Sequence, residues 1–328
     1  YNVFWYPTIL ALLAGVFTYF FNPNLSTNKI YMSASTCLLF WGATLLNLKG
    51  MKLSSIVSTV GALIGTIAPM LLIIGMGMFW LFKGEPLQIE MSWEAFFPDF
   101  NRGGNLAFFS PVLFGLLGLE MAATHAAEMK NPKKDYPRAI FISMGIILLT
   151  IIFSALTLAL IVPGKNLSLV TGVLQAFFIT AHVLHIPWLV PLLAGTIILG
   201  GLSGVSAWII GPTKGLMVAA EDGSLPHFLT KKNQASVPKN ILILQGIIVS
   251  ILSLAFVLMP SVNSSFWLLS QVTAQHALIV YFALFAAGIA LRYEKGAKKQ
   301  RSFSIPGGKK GGMWCVGSMG IFACLVAF

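Results

Sequence analysis

The chain has 328 residues, 57% of them hydrophobic and 9% charged, with a mean hydropathy of +0.84. A soluble domain carries about 25% charged residues, so this composition excludes one and defines an all-α polytopic membrane protein. The formal net charge of +11 would point to nucleic acid in a soluble protein; the placement of the charges assigns it to membrane orientation instead, and no nucleic-acid partner is expected.

A hydrocarbon core needs about 20 apolar residues to cross. Nine segments reach that scale, at roughly 3–21, 30–48, 53–82, 106–128, 139–162, 188–218, 241–259, 265–292 and 313–328. The chain reads as one transmembrane domain over residues 1–328. It begins without Met and stops inside an apolar segment, which reads as a piece trimmed at both ends. Basic residues collect after the second, fourth, sixth and eighth segments, and all but Lys29, Lys83, Arg102 and Lys165 of the 21 Lys and Arg lie there. By the positive-inside rule those connections are cytoplasmic, and so is the Tyr1 end. Cys37, Cys315 and Cys324 lie in apolar segments as small hydrophobes, with no disulfide framework or zinc spacing.

Between the third and fourth segments, GEPLQIEMSWEAFFPDFNRGG reads as an external loop with aromatics at headgroup depth and solvated carboxylates. The fourth segment carries the most informative run, SPVLFGLLGLEMAATHAAEM, followed by NPKKDYPRA. Gly115 and Gly118 weaken a helix where its backbone could open to a ligand, and Glu120 follows at once. A carboxylate at bilayer depth costs about 2.5 to 3.5 kcal/mol on insertion scales. Two roles are open to Glu120: a side chain held protonated or hydrogen-bonded between helices, or one that serves proton coupling or substrate-linked gating. At about 100° per residue, His125 and Glu128 lie about 140° and 80° from Glu120, so one face does not collect all three and no metal site is expected.

After Ser168, the apolar residues Val170, Val173, Leu174, Phe177 and Phe178 recur at helical spacing and predict a short amphipathic helix over the external mouth. His182 and His185 fall in that mouth region and read as solvent-exposed; His227 follows Pro226 in a cytoplasmic loop. In the sixth segment, Gly200, Gly201, Ser203, Gly204 and Ser206 allow close helix approach, and Trp208 projects from them either as packing or as an aromatic gate. In the middle of the eighth, His276 is the other ionisable group at bilayer depth, open to a proton-sensing role or to structural hydrogen bonding.

The runs GLEMAATHAAEMKNPKKDYPRA and SAWIIGPTKGLMVAAEDGSLP, with FSIPGGK and EMSWEAFFPDF, resemble the amino acid–polyamine–organocation (APC) transporter superfamily, most closely its bacterial glutamate/GABA antiporter group. The resemblance covers essentially the whole chain. It implies a LeuT-type inverted-repeat fold in a cell membrane, with the nine segments matching helices 3–11 of 12 and the first two helices missing. By position it makes Phe114 an aromatic gate, Gly115, Leu116 and Gly118 the unwound stretch, Glu120 the family's glutamate and Trp208 its tryptophan in the eighth helix. Tyr281 matches one of two tyrosines of the tenth helix, and Ala277 stands at the place of the other. Gly204 stands where the glutamate/GABA antiporter has an acidic residue. Leu53–Phe82 lacks the embedded lysine of proton-coupled relatives, which favours exchange over symport. The implied partners are small amino acid substrates and the lipid bilayer; no cofactor or metal is implied, and no oligomeric state.

A membrane-embedded enzyme would need a nucleophile with its base or a metal cluster, and no such set stands out, so an enzyme is not expected. A nutrient sensor that binds substrate without moving it stays open, as does a proton-coupled symporter.

Overall fold

The computed structural model describes residues 1–50, 59–61, 63–90, 92–93, 112–113, 115–163, 170–293, 305 and 311–328. Every regular element among them is helical. The helices are α1 (Asn2–Thr18), α2 (Lys29–Leu48), α3 (Thr59–Lys83), α4 (Pro132–Ile161), α5 (Gly172–Val183), α6 (Leu189–Glu221), α7 (Lys239–Leu258), α8 (Val262–Ala290) and α9 (Gly311–Ala327). Of these, α3, α4, α6, α7 and α8 are long and apolar enough to cross a membrane. The five compare with nine expected segments because α1 and α9 are shorter, α2 mixes in more polar residues, and the fourth segment forms no long α-helix among its described residues. The EMSWEAFFPDF loop and FSIPGGK also lie almost wholly outside them.

The chain forms two compact units. The larger holds Asn2–Phe96 and Leu148–Ser270, the smaller Tyr1, Phe97–Ile147 and Gln271–Phe328.

In the larger unit α1 is the centre. It is apolar on every side, the pattern of a helix enclosed by others, and Tyr6, Leu10, Ala11, Leu13, Ala14 and Val16 are all buried. It packs against α2, α6 and α7. Tyr6, Leu10 and Leu13 meet Phe40 of α2, Val205 and Ile209 of α6, and Leu242 and Val249 of α7.

Helix α3 and helix α6 cross through glycine. A methyl added to Gly65 would stand 2.1 Å from the Cα of Gly200, and one added to Gly61 would overlap the Ser203 side chain. Lipid tails are as apolar as leucine, so backbone approach and dispersion must hold such helices together. Pro69 has no N–H for the Gly65 carbonyl, and the helix loosens here into a π turn over Leu63–Ile67, whose i+5 bonding passes over the missing donor.

Helix α4 differs from the sequence expectation at its start. It begins at Pro132 rather than near residue 139, so the basic run Lys133–Arg138 lies in its first turns and not in a loop. Proline is suited to the first helical position, Asp135 complements the helix dipole, and the Asn131 carbonyl accepts from the N–H groups of Lys134 and Asp135. Pro137 comes early enough that the donor it removes falls near the end of the helix. The expected amphipathic helix is α5, with Leu174, Ala176, Phe177 and Thr180 buried and Phe178 and His182 exposed.

In the smaller unit, α8 and α9 also pack through glycines. Gly320 lies under the Phe285 ring and Gly317 under Ile289. Leu278, Cys324 and Ala327 form the core there, with Leu113, Tyr281 and Phe285 against it.

The α3–α6 crossing gives a direct test. Gly200→Val forces backbones apart that now touch, and overpacking of this kind costs about 1–3 kcal/mol. The expected result is a lowered melting temperature of the detergent-purified protein, read by the loss of its monodisperse gel-filtration peak on heating; Gly204→Ala, where an added methyl meets nothing within 4 Å, should leave it unchanged.

Candidate functional site: the broken helix at Glu120

The fourth segment is not a continuous helix. Val112 and Leu113 are helical, Gly115 and Leu116 form a turn closed by the Leu116 N–H on the Leu113 carbonyl (2.9 Å), and a 3₁₀ segment runs over Leu119–Glu128. Gly118 has φ +120°, a region that glycine enters freely and side chains resist. Gly115–Gly118 is therefore outside regular helix. Phe114 lies outside the described residues, as do the side chains of His125 and Glu128.

The break frees backbone N–H groups, and the carboxylate two residues on takes one of them. Glu120 Oε2 accepts from the Gly118 N–H at 2.9 Å and from the Tyr281 hydroxyl. The same N–H lies 3.1 Å from the Tyr281 oxygen. Glu120 Oε1 accepts from the Tyr1 hydroxyl at 2.9 Å. Three donors thus converge on one half-buried carboxylate, from the break itself, from α8 and from the residue before α1. All of these groups belong to the smaller unit. Leu116, Gly118 and Glu120 are half-buried, while Gly115 is exposed.

Tyr281 lies on α8 with its hydroxyl on Glu120, and Ala277, one turn earlier on α8, is buried. Tyr1 was not singled out in the sequence. It is separated from Glu120 by 119 positions, and an aromatic at the head of an apolar segment carries no local sign of a distant carboxylate.

His276 is exposed, and its Nδ1 lies 2.8 Å from the Val272 carbonyl one turn back on α8. The hydrogen bond lies within its own helix. His182 and His185 are exposed as expected; the His182 ring lies on Phe178 with centroids 4.1 Å apart. Among the described residues no group of three or more His, Cys, Asp or Glu is placed to hold a metal, and Cys37, Cys315 and Cys324 are free thiols.

Trp208 belongs to the larger unit. It is half-buried at the edge of the α1 core, with its ring 5.4 Å from that of Trp5. Its carbonyl accepts from the Tyr6 hydroxyl at 3.0 Å.

Five long apolar helices, together with a segment broken next to a carboxylate, define a multi-pass membrane protein. The family model for amino acid permeases matches residues 1–328, and the chain belongs to that family, within the APC superfamily. It is 47% identical over 327 residues to an uncharacterized transporter of Legionella pneumophila, covering 100% of this chain and 70% of that protein. It is 30% identical over 331 residues to a glutamate/gamma-aminobutyrate antiporter of Lactococcus lactis, covering 98% of this chain and 65% of that protein. A D-serine/D-alanine/glycine transporter of Escherichia coli is 24% identical over 346 residues, with 99% of this chain and 65% of that protein covered. The chain thus spans about two thirds of the length of these curated relatives.

The break itself is testable. Gly118→Ala places a side chain at a φ of +120°, and strain of this kind costs about 1–3 kcal/mol. The expected result is reduced thermal stability together with a larger loss of ligand-induced stabilisation, whereas Gly115→Ala, in an exposed turn, should cost less in both.

Proposed function

We propose that the protein moves amino acids across the membrane by alternating access, as an antiporter exchanging a glutamate-like amino acid for a GABA-like amine or related amino acid. The observation that carries this reading is the carboxylate held at the break. The unwound Gly118 N–H binds an anionic group, and the one it binds is Glu120's own. A backbone that offers N–H groups in this way, next to half-helix ends of positive partial charge, suits the carboxylate of an amino acid substrate. The resemblance to the glutamate/gamma-aminobutyrate antiporter over nearly the whole chain supports the substrate class.

In this mechanism Gly115, Leu116 and Gly118 line the substrate position, and Phe114 and Trp208 act as aromatic gates. Glu120 couples movement to protonation. As a carboxylate it only accepts, and takes Tyr1, Gly118 and Tyr281 together. Once protonated it has a hydroxyl to donate, so one tyrosine bond must reverse its direction or be released. Loss of a tyrosine bond would then loosen the break.

Because that carboxylate is titratable, proton-coupled symport is the second reading. Exchange is favoured by the composition of α3, whose only lysine is Lys83 at its end.

Uptake of labelled glutamate into liposomes containing the full-length protein separates the two. With GABA, other amino acids or nothing inside, exchange predicts uptake that requires an internal amino acid; uptake into empty vesicles driven by a pH gradient would make it a symporter, and binding without flux in either case would make it a sensor.

Glu120→Gln keeps the shape of the side chain but removes its proton coupling. The expected result is a transport rate lowered by about tenfold, with a pH profile flattened between acidic and neutral values. Tyr281→Phe removes one donor and leaves the carboxylate, so it should lower the rate by a similar factor yet keep a pH dependence. An unaltered profile in Glu120→Gln would remove the coupling role.

A further inference from the structure

Helix α6 contains Pro212, which has no N–H to offer the carbonyl of Trp208 one turn earlier. Inside hydrocarbon there is no water to replace a helix donor, so another protein group must serve. The Tyr6 hydroxyl donates to that carbonyl at 3.0 Å, although 202 positions separate the two residues.

Tyr6 is wholly buried, between the ring of Phe40 at 4.9 Å and that of Trp5 at 5.7 Å. A phenylalanine would fill this space, and burying a hydroxyl is costly unless it is bonded. The side chain of Gln245 on α7 stands near the same hydroxyl. The hydroxyl's own proton is directed at the Trp208 carbonyl, which can only accept. The adjacent residue, Trp5, meets the indole of Trp208 with centroids 5.4 Å apart. Two consecutive residues of α1 therefore hold Trp208, one by its backbone and one by its ring.

We propose that Tyr6 is a positioning residue for Trp208: its hydroxyl takes the place of the N–H that Pro212 lacks and so sets the pitch of α6 and the orientation of the indole. The proposal rests on the reading of Trp208 as a gate, and it adds a residue that never touches substrate. Tyr6→Phe releases the carbonyl while keeping the packing. Pro212→Ala restores a helix donor to the same carbonyl and makes Tyr6 dispensable.

The test uses the full-length protein with Tyr6→Phe, Pro212→Ala, the double variant and Trp208→Ala. Each is assayed in liposomes for labelled glutamate exchange. Each is also labelled with 5-fluorotryptophan for ¹⁹F NMR without substrate, the Trp208 resonance being assigned by its absence in Trp208→Ala. The expected result for Tyr6→Phe is a half-saturation concentration raised by about three- to tenfold, a maximal rate changed by less than about twofold, and a shifted or doubled Trp208 resonance. The double variant should return both to the Pro212→Ala values. A Tyr6→Phe protein with wild-type half-saturation and resonance, or a defect that Pro212→Ala does not relieve, overturns the proposal. Trp208→Ala tests the gate by itself: normal affinity and rate there would remove the gate reading, and the resonance alone would then decide whether Tyr6 orients Trp208.

Discussion

A backbone N–H or C=O that leaves its helix ladder inside a bilayer has no water to turn to, and this constraint organises the places where the chain departs from regular helix. At Gly118 the freed group is a donor, and the protein meets it with an acceptor, the Glu120 carboxylate. At Trp208 the group is an acceptor whose helix donor is replaced by Pro212, and the protein meets it with a hydroxyl, that of Tyr6. Pro69 is handled without any side chain, by the π turn over Leu63–Ile67. The sign of the freed group thus dictates the kind of residue recruited. A carboxylate at the first place is a consequence of breaking the helix there as much as a cause of function.

The same constraint governs several of the buried hydroxyls. Ser203, Thr213, Thr180 and Ser253 each donate to the carbonyl four residues back on their own helix, which satisfies them locally and leaves helix surfaces free to approach. Glycine then sets where the approach is closest. Trp41 of α2 lies over Gly246, so that an added methyl would stand 2.8 Å from its ring, and the same indole donates to Ser250 one turn on at 3.0 Å. One small residue admits the ring and one polar residue orients it. Dispersion and directed hydrogen bonds replace the hydrophobic drive that lipid removes.

Hydrophobic length and charge placement made the membrane class and most helices legible, because both depend on short stretches of chain. The ends of α1, α2, α6 and α8 fall within a few residues of the apolar segments. The start of α4 was misplaced because Lys133, Lys134 and Arg138 look like loop, whereas Asn131 and Pro132 open a helix that carries these charges in its first turns. At the site, Gly115, Gly118 and Glu120 were readable from one run of sequence. Tyr281 was found through family resemblance, and Tyr1 through neither route, since contacts across 161 and 119 positions leave no local trace. His276, left open between proton sensing and structural hydrogen bonding, is exposed with its ring against the Val272 carbonyl of its own helix.

The arrangement around Glu120 bears on how one chain could both hold and release an anion. The Gly118 N–H is shared between the Glu120 carboxylate and the Tyr281 oxygen, at 2.9 and 3.1 Å, so the donor freed by the break is already occupied. A substrate carboxylate that uses this donor must displace Glu120 from it, and the displaced side chain still has two hydroxyl partners, Tyr281 and Tyr1, to receive it. In the proposed exchange, competition between an internal and an external carboxylate for one N–H would narrow the difference between the empty and the filled break. A site that bound its substrate with a large net gain would not let it go.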